Sequence, residues 1–187
     1  LSNGVRLADG KATTLSGGNR LLGAEIFGNH GAGVQVDGGA FASIGGTGSS
    51  DGNIIRNNAG GGIRIDWSAV SGAPTNHAIQ GNSIGTDRFG VMTASMGNGG
   101  AAGIAIDGGV GNTVDRNLVM NGNGAGIRIA GGSGNVVGGT AAGSGNTVMG
   151  NAGSGVQVTG GTNARTAFEN TARDHVVQGN VIRDNQT

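Results

Sequence analysis

Apolar and polar positions alternate with a period of two in six short segments, each opened by glycine: Gly4-Val5-Arg6-Leu7, Gly33-Val34-Gln35-Val36, Gly62-Ile63-Arg64-Ile65, Gly103-Ile104-Ala105-Ile106, Gly126-Ile127-Arg128-Ile129 and Gly155-Val156-Gln157-Val158. Such alternation predicts β-strands with both aliphatic side chains on one face and the residue between them on the other. Successive starts lie 29, 29, 41, 23 and 29 residues apart. A unit recurring at that length marks a solenoid, whose coils bury their apolar faces only against neighbouring coils.

Further strands are predicted within each coil at Asn53-Ile54-Ile55, Ala78-Ile79-Gln80, Thr113-Val114-Asp115, Asn135-Val136-Val137, Thr147-Val148-Met149 and Val176-Val177-Gln178. Gly-Asn or Asn-Gly pairs border them, and these residues tolerate the positive φ of a sharp bend. Parallel strands need crossovers, which are overwhelmingly right-handed. The expected fold is therefore all-β, a right-handed parallel β-helix of about six to seven coils. It is expected to occupy residues 1–187 as one segment of a longer chain, since both ends fall within a repeat. Asn29, Asn57, Asn82, Asn117, Asn151 and Asn180 are expected to stack at one corner, hydrogen-bonded from coil to coil. His30, His77 and His175 read as turn or loop residues.

Departures from the period predict three longer loops. Asp66 to His77 carries Trp67 and Pro74, Gly85 to Ala102 carries Phe89, Met92 and Met96, and Gly160 to His175 carries Phe168, Glu169 and Arg173.

Composition sharpens this picture. Glycine supplies 44 of 187 residues and aromatics only 3%. The core must be aliphatic, and it is the period that argues against disorder. Cysteine is absent, which excludes a disulfide scaffold and thiolate zinc. Eleven basic and eleven acidic residues leave no net charge to draw the chain to nucleic acid. No apolar run approaches the ~18 residues of a membrane span.

The stretch Gln80-Gly81-Asn82-Ser83-Ile84-Gly85-Thr86-Asp87, followed by Gly97-Asn98-Gly99-Gly100 and Gly103-Ile104-Ala105-Ile106, resembles the parallel β-helix repeats of large secreted or surface-attached bacterial proteins. So do Ile44-Gly45-Gly46-Thr47 with Gly52-Asn53-Ile54-Ile55, and Asn135-Val136-Val137-Gly138-Gly139-Thr140 with Gly145-Asn146-Thr147-Val148. The resemblance, to the pectate-lyase-like superfamily, covers nearly the whole chain. It implies a secreted or cell-surface location, and a fold that hosts lyases, hydrolases, epimerases, adhesins and spacers alike.

One constellation could carry chemistry. Asp37 and Asp66 follow the repeated strand in adjacent coils, with Arg64 on the same face. Stacked carboxylates share a proton or hold a cation such as Ca²⁺, and the resemblance implies a polysaccharide lyase, epimerase or hydrolase using Asp37, Asp66 and Arg64 on an acidic glycan. The competing reading is that Arg64 neutralises both carboxylates on a solvated sheet. The leading expectation is an extracellular stalk, adhesin or carbohydrate-recognition segment without catalytic residues or a required cofactor, its ligand contacts falling on Arg64, Trp67, Phe89 and Arg128. Unpaired strand edges at the coil ends would permit end-to-end self-association.

Overall fold

The computed structural model describes residues 2–8, 18–68, 71–93, 95–161 and 171–186. Three parallel sheets of six strands run side by side. Sheet A contains β1 (Val5–Ala8), β4 (Val34–Asp37), β7 (Ile63–Asp66), β10 (Ala102–Asp107), β13 (Ala125–Ala130) and β16 (Val156–Thr159). Sheet B contains β2 (Arg20–Leu21), β5 (Ser43–Gly45), β8 (Ala78–Gln80), β11 (Thr113–Asp115), β14 (Val136–Gly138) and β17 (Val176–Gln178). Sheet C contains β3 (Glu25–Phe27), β6 (Ile54–Arg56), β9 (Ser83–Ile84), β12 (Leu118–Met120), β15 (Thr147–Met149) and β18 (Val181–Arg183). The chain passes A, B, C and returns to A, so each turn is one coil of a six-coil parallel β-helix.

Register follows the aliphatic pattern. Val34, Ile63, Ile104, Ile127 and Val156 stack directly over one another, as do Val36, Ile65, Ile106, Ile129 and Val158. Sheet A thus contributes two side chains per coil to the interior, while sheets B and C contribute one each, for example Val114 and Val119. Each fully buried branched side chain contributes about 1.5–3 kcal/mol. In the last coil the column positions Val158, Val177 and Ile182 are exposed, because among the described residues no coil lies above them.

The glycine that opens each sheet A strand is explained by space rather than by φ. A Cβ at Gly62 would lie 2.5 Å from the Gly103 carbonyl oxygen and 2.6 Å from Ile84 Cγ2, and one at Gly126 would lie 2.2 Å from Val148 Cγ1. The chain enters sheet A so close to the sheet C core that no side chain fits.

Asparagine stacks at the corners, but not at a single corner as the sequence suggests. Asn53, Asn82, Asn117, Asn146 and Asn180 form one ladder ahead of sheet C, each backbone N–H donating to the next Oδ1 at 2.9–3.1 Å. Asn29, Asn58 and Asn98 form another ahead of sheet A, which Gly122 interrupts before Asn151 and Asn185 continue it. Asn57 belongs to neither; its φ of 53° makes the bend, and Asn58 takes the ladder place. The third ladder, ahead of sheet B, is His77, Asn112, Asn135 and His175. His77 and His175 are therefore structural rungs rather than turn residues, while His30 lies in a bend as expected. His77 is 2% exposed, and its Nδ1 accepts the Ala42 N–H at 3.0 Å.

The three long excursions use two corners: the first and third lie between a sheet A strand and the following sheet B strand, and the second between sheet C and sheet A. Residues 67–77 connect sheet A to sheet B. Residues 85–101 form a strap across sheet C, fastened by Met96 O to the Asn57 N–H and by Thr93 O to Asn121 Nδ2, with Met92 Sδ where a Gly150 Cβ would be 3.2 Å away. Met120 is buried on this covered face. Of the third excursion, Phe168 and Glu169 lie outside the described residues. Two shorter excursions, 46–52 and 139–145, leave sheet B for sheet C at equivalent places in different coils.

Candidate functional site

The outward face of sheet A carries two rows. Arg6, Gln35, Arg64, Ala105, Arg128 and Gln157 form one. Asp37 and Asp66 are direct partners in the other, and Asp107 follows them on the next strand. Alternation puts these side chains outside because the aliphatic residues between them fill the column.

The carboxylates are matched one to one. Arg6 pairs with Asp37, Arg64 with Asp66 at 2.8 Å, and Arg128 with Asp107 at 2.9 Å. Gln35 ties the first two together, its Nε2 donating to Asp37 Oδ1 at 2.9 Å and to Asp66 Oδ2 at 3.0 Å. Arg64 thus neutralises Asp66, while Asp37 is served by Arg6, one coil on its other side. This amide bridge supplies each of the two stacked carboxylates with an N–H donor between them. Burial pushes the Asp107 carboxyl above the usual carboxylate range; Arg128 opposes that rise and the Asp66 charge adds to it.

Gln35 and Ala105 are each only 8% exposed, so this row is less solvated than alternation alone suggests. Ala105 packs in a small buried cluster with Ala102 and Ala125, and Gln35 is held between Asp37 and Asp66. The result is a shallow groove. One hollow of about 680 Å³ is lined by Arg6, Gln35, Asp37, Arg64, Asp66 and the corner residues Asn3, His30 and Gly60. A second of about 150 Å³, sharing Gly60 and Arg64 with it, continues to Ala105, Asp107 and Arg128.

Asp37, Asp66, Arg64 and Arg128 therefore belong to one groove, as their repeat positions suggest; Trp67 follows Asp66 in the chain but is not among the residues that line it. Phe89 does not join them. It is 83% exposed on the strap, beside Gly90, where a Cβ would sit 3.4 Å from Leu118 Cδ2 on sheet C. The loop that carries it folds away from sheet A, so the aromatic pair is divided between two sides of the column. Arg6, Gln35 and Asp107 are the groove residues not singled out as candidates from the sequence. Their signal is the repeat itself, obscured for Asp107 by the 41-residue coil that holds the strap.

The donor set does not fit calcium. Six to eight oxygen ligands are the rule for that ion, whereas Asp37 and Asp66 already face guanidinium and amide donors that would have to be displaced. Among the described residues no group of three His, Cys, Asp or Glu side chains is placed to hold a metal ion, and no helix is long and apolar enough to cross a membrane. On the sheet C face, Arg56 bonds Glu25 at 2.7 Å and lies 4.6 Å over the Phe27 ring. No family model, curated protein or solved structure matches this chain.

Proposed function

We propose that this chain is a carbohydrate-recognition segment of an extracellular bacterial β-helix, in which the aliphatic column serves as a rigid stalk and the sheet A groove holds the glycan. One observation carries the reading: planar polar side chains on successive coils are held in fixed orientation by their own pairing along a shallow groove, and Trp67 is the next residue in the chain after the groove residue Asp66. Sugar hydroxyls are recognised by such preoriented Arg, Asp and Gln groups, and their apolar ring faces by aromatics. The three arginines balance three aspartates, so the groove suits neutral more than acidic glycans. The same pairing argues against a lyase or hydrolase, because each carboxylate is engaged by a donor where general-base catalysis needs a free acceptor near the substrate. The surface location follows from the resemblance of the repeats to those of secreted and surface-attached proteins.

The test is a glycan array probed with the wild type and with Arg64→Ala and Trp67→Ala, accompanied by incubation with pectate and alginate. Expected are binding to at least one neutral glycan class, at least tenfold weakening in Arg64→Ala, and no unsaturated or shortened products. Absence of any glycan binding, binding indifferent to both substitutions, or product formation would overturn the reading.

A further inference from the structure

We propose a second binding site, for a small sugar bearing a carboxylate, sulfate or phosphate group, in the hollow between the 46–52 excursion and the strap. This cavity of about 520 Å³ lies at the sheet B to sheet C corner, away from sheet A, and its argument is independent of the groove described above. Thr47, Ser49, Ser50 and Ser83 supply hydroxyls to its wall, and Arg88 and Arg116 supply the charge. Glu25 also reaches it, but its charge is matched by Arg56.

The arginines are the informative part. Arg88 is exposed and has neither ion-pair nor hydrogen-bond partner among the described residues, whereas the arginines of sheet A are each paired with an aspartate. Arg116 stands in the left-handed region at φ 59°, in the two-residue turn between sheets B and C. The same turn in two other coils has Gly81 at φ 67° and Gly179 at φ 66°. Glycine adopts this conformation freely and arginine does not, so the fold accepts strain to place a guanidinium at that spot. Strain of this kind concentrates at functional sites.

The protein also supplies its own comparison. The equivalent excursion 139–145 borders a hollow of about 450 Å³ lined by Gly139, Thr140, Ala141, Gly143 and Thr147 among others, with no charged side chain. The corner therefore does not require cations. Two guanidiniums facing one cavity recognise an oxyanion through paired N–H donors, and the surrounding hydroxyls then match a sugar ring. Arg116 also pairs with Asp115, which gives the opposing explanation, that it serves only to neutralise a buried carboxylate.

NMR titration at low salt with glucuronate, glucose 6-phosphate, glucose 6-sulfate, glucose and inorganic phosphate separates these. At least one sugar anion should produce saturable shifts at residues 47–50 and 83, at least tenfold tighter than glucose and tighter than inorganic phosphate. Which anion binds best identifies the source of the charge. Arg88→Ala and Arg116→Gly should each weaken binding at least tenfold. Because Arg116→Gly leaves the buried Asp115 carboxylate unpaired, the double substitution Asp115→Gln with Arg116→Gly, which reproduces the Gln80-Gly81 and Gln178-Gly179 pairs of the equivalent turns, should melt no lower than wild type while binding as weakly. Lack of saturation by every sugar anion, equal binding of glucose or phosphate, or binding unchanged in both variants would overturn the proposal. A lowered melting temperature in Arg116→Gly with unchanged binding would assign Arg116 to Asp115 alone.

Discussion

Replacing Asn117 by alanine should destabilise the fold by about 3–5 kcal/mol through lost hydrogen bonds. Asn117 lies in the middle of the ladder ahead of sheet C and is buried. Its Oδ1 accepts from the Asn82 N–H at 3.0 Å and from Asn82 Nδ2 at 2.9 Å. Its Nδ2 donates to Ile79 O at 2.8 Å and to Asp115 O and Asn146 Oδ1 at 3.0 Å. Alanine would leave the Asn82 N–H without an acceptor at a cost of about 1–3 kcal/mol, and each further lost bond adds about 0.5–1.5 kcal/mol. Some partners keep a second bond, such as Asn82 Nδ2 with Ile44 O, which holds the sum below the simple total. Asn117→Asp should fare no better, because a carboxylate keeps the acceptor but turns a charged oxygen towards the Ile79 and Asp115 carbonyls. Urea unfolding followed by circular dichroism gives the comparison, with the exposed Asn123→Ala as a control expected to stay within about 0.5 kcal/mol of wild type. A loss below about 1 kcal/mol for Asn117→Ala, at unchanged denaturant slope, would refute the view that corner ladders bind the coils together.

Two further substitutions address the other ladders. Gly122→Asn fills the gap between Asn98 and Asn151, where a Cβ would be 3.2 Å from Asn151 Oδ1 and the backbone is not left-handed; a gain of about 1 kcal/mol in the same urea assay is expected from the restored bonds and the loss of glycine freedom in the unfolded chain, and a loss of stability would contradict it. Burial pushes the His77 imidazole down from 6.5 to about 4, so the fold favours the neutral ring and the unfolded chain takes up the proton first. Stability should therefore be complete above pH 6.5 and fall as pH drops towards 4, by about 3 kcal/mol at pH 4. His77→Asn, which installs the rung used by the next two coils, should remove most of that slope; an unchanged acid profile would show that His77 is not its source.

The repeated strand of sheet A was the most legible part of the chain, because two aliphatic residues per coil flank one outward residue and the period sets Asp37 over Asp66. Sheets B and C were read less completely. Strands such as Arg20–Leu21 and Ser83–Ile84 have two residues and Leu118–Met120 has three, and one inward side chain per strand is too little to reveal a period. The asparagines were recognised as ladder residues but assigned to one corner, since Gly-Asn precedes both sheet C and sheet A strands and sequence carries no label for which. The ladder role of His77 and His175 is hidden for a related reason: an imidazole Nδ1 can accept the same backbone N–H as an asparagine Oδ1, and only the stacking of His77 under Asn112 exposes that equivalence. Arg116 carries no signal in the linear pattern, because its meaning depends on Gly81 and Gly179 occupying the same turn in other coils.

Everything about the groove and the ladders requires that coils stack in parallel at the stated register. Assignment of backbone contacts by NMR tests this directly. Cross-strand amide contacts should link Ile104 to Ile127 and Ile127 to Val156 along sheet A, and Val119 to Val148 along sheet C, in a parallel pattern. Short contacts between facing Hα atoms of antiparallel pairs, or only sequential contacts through these segments, would contradict it.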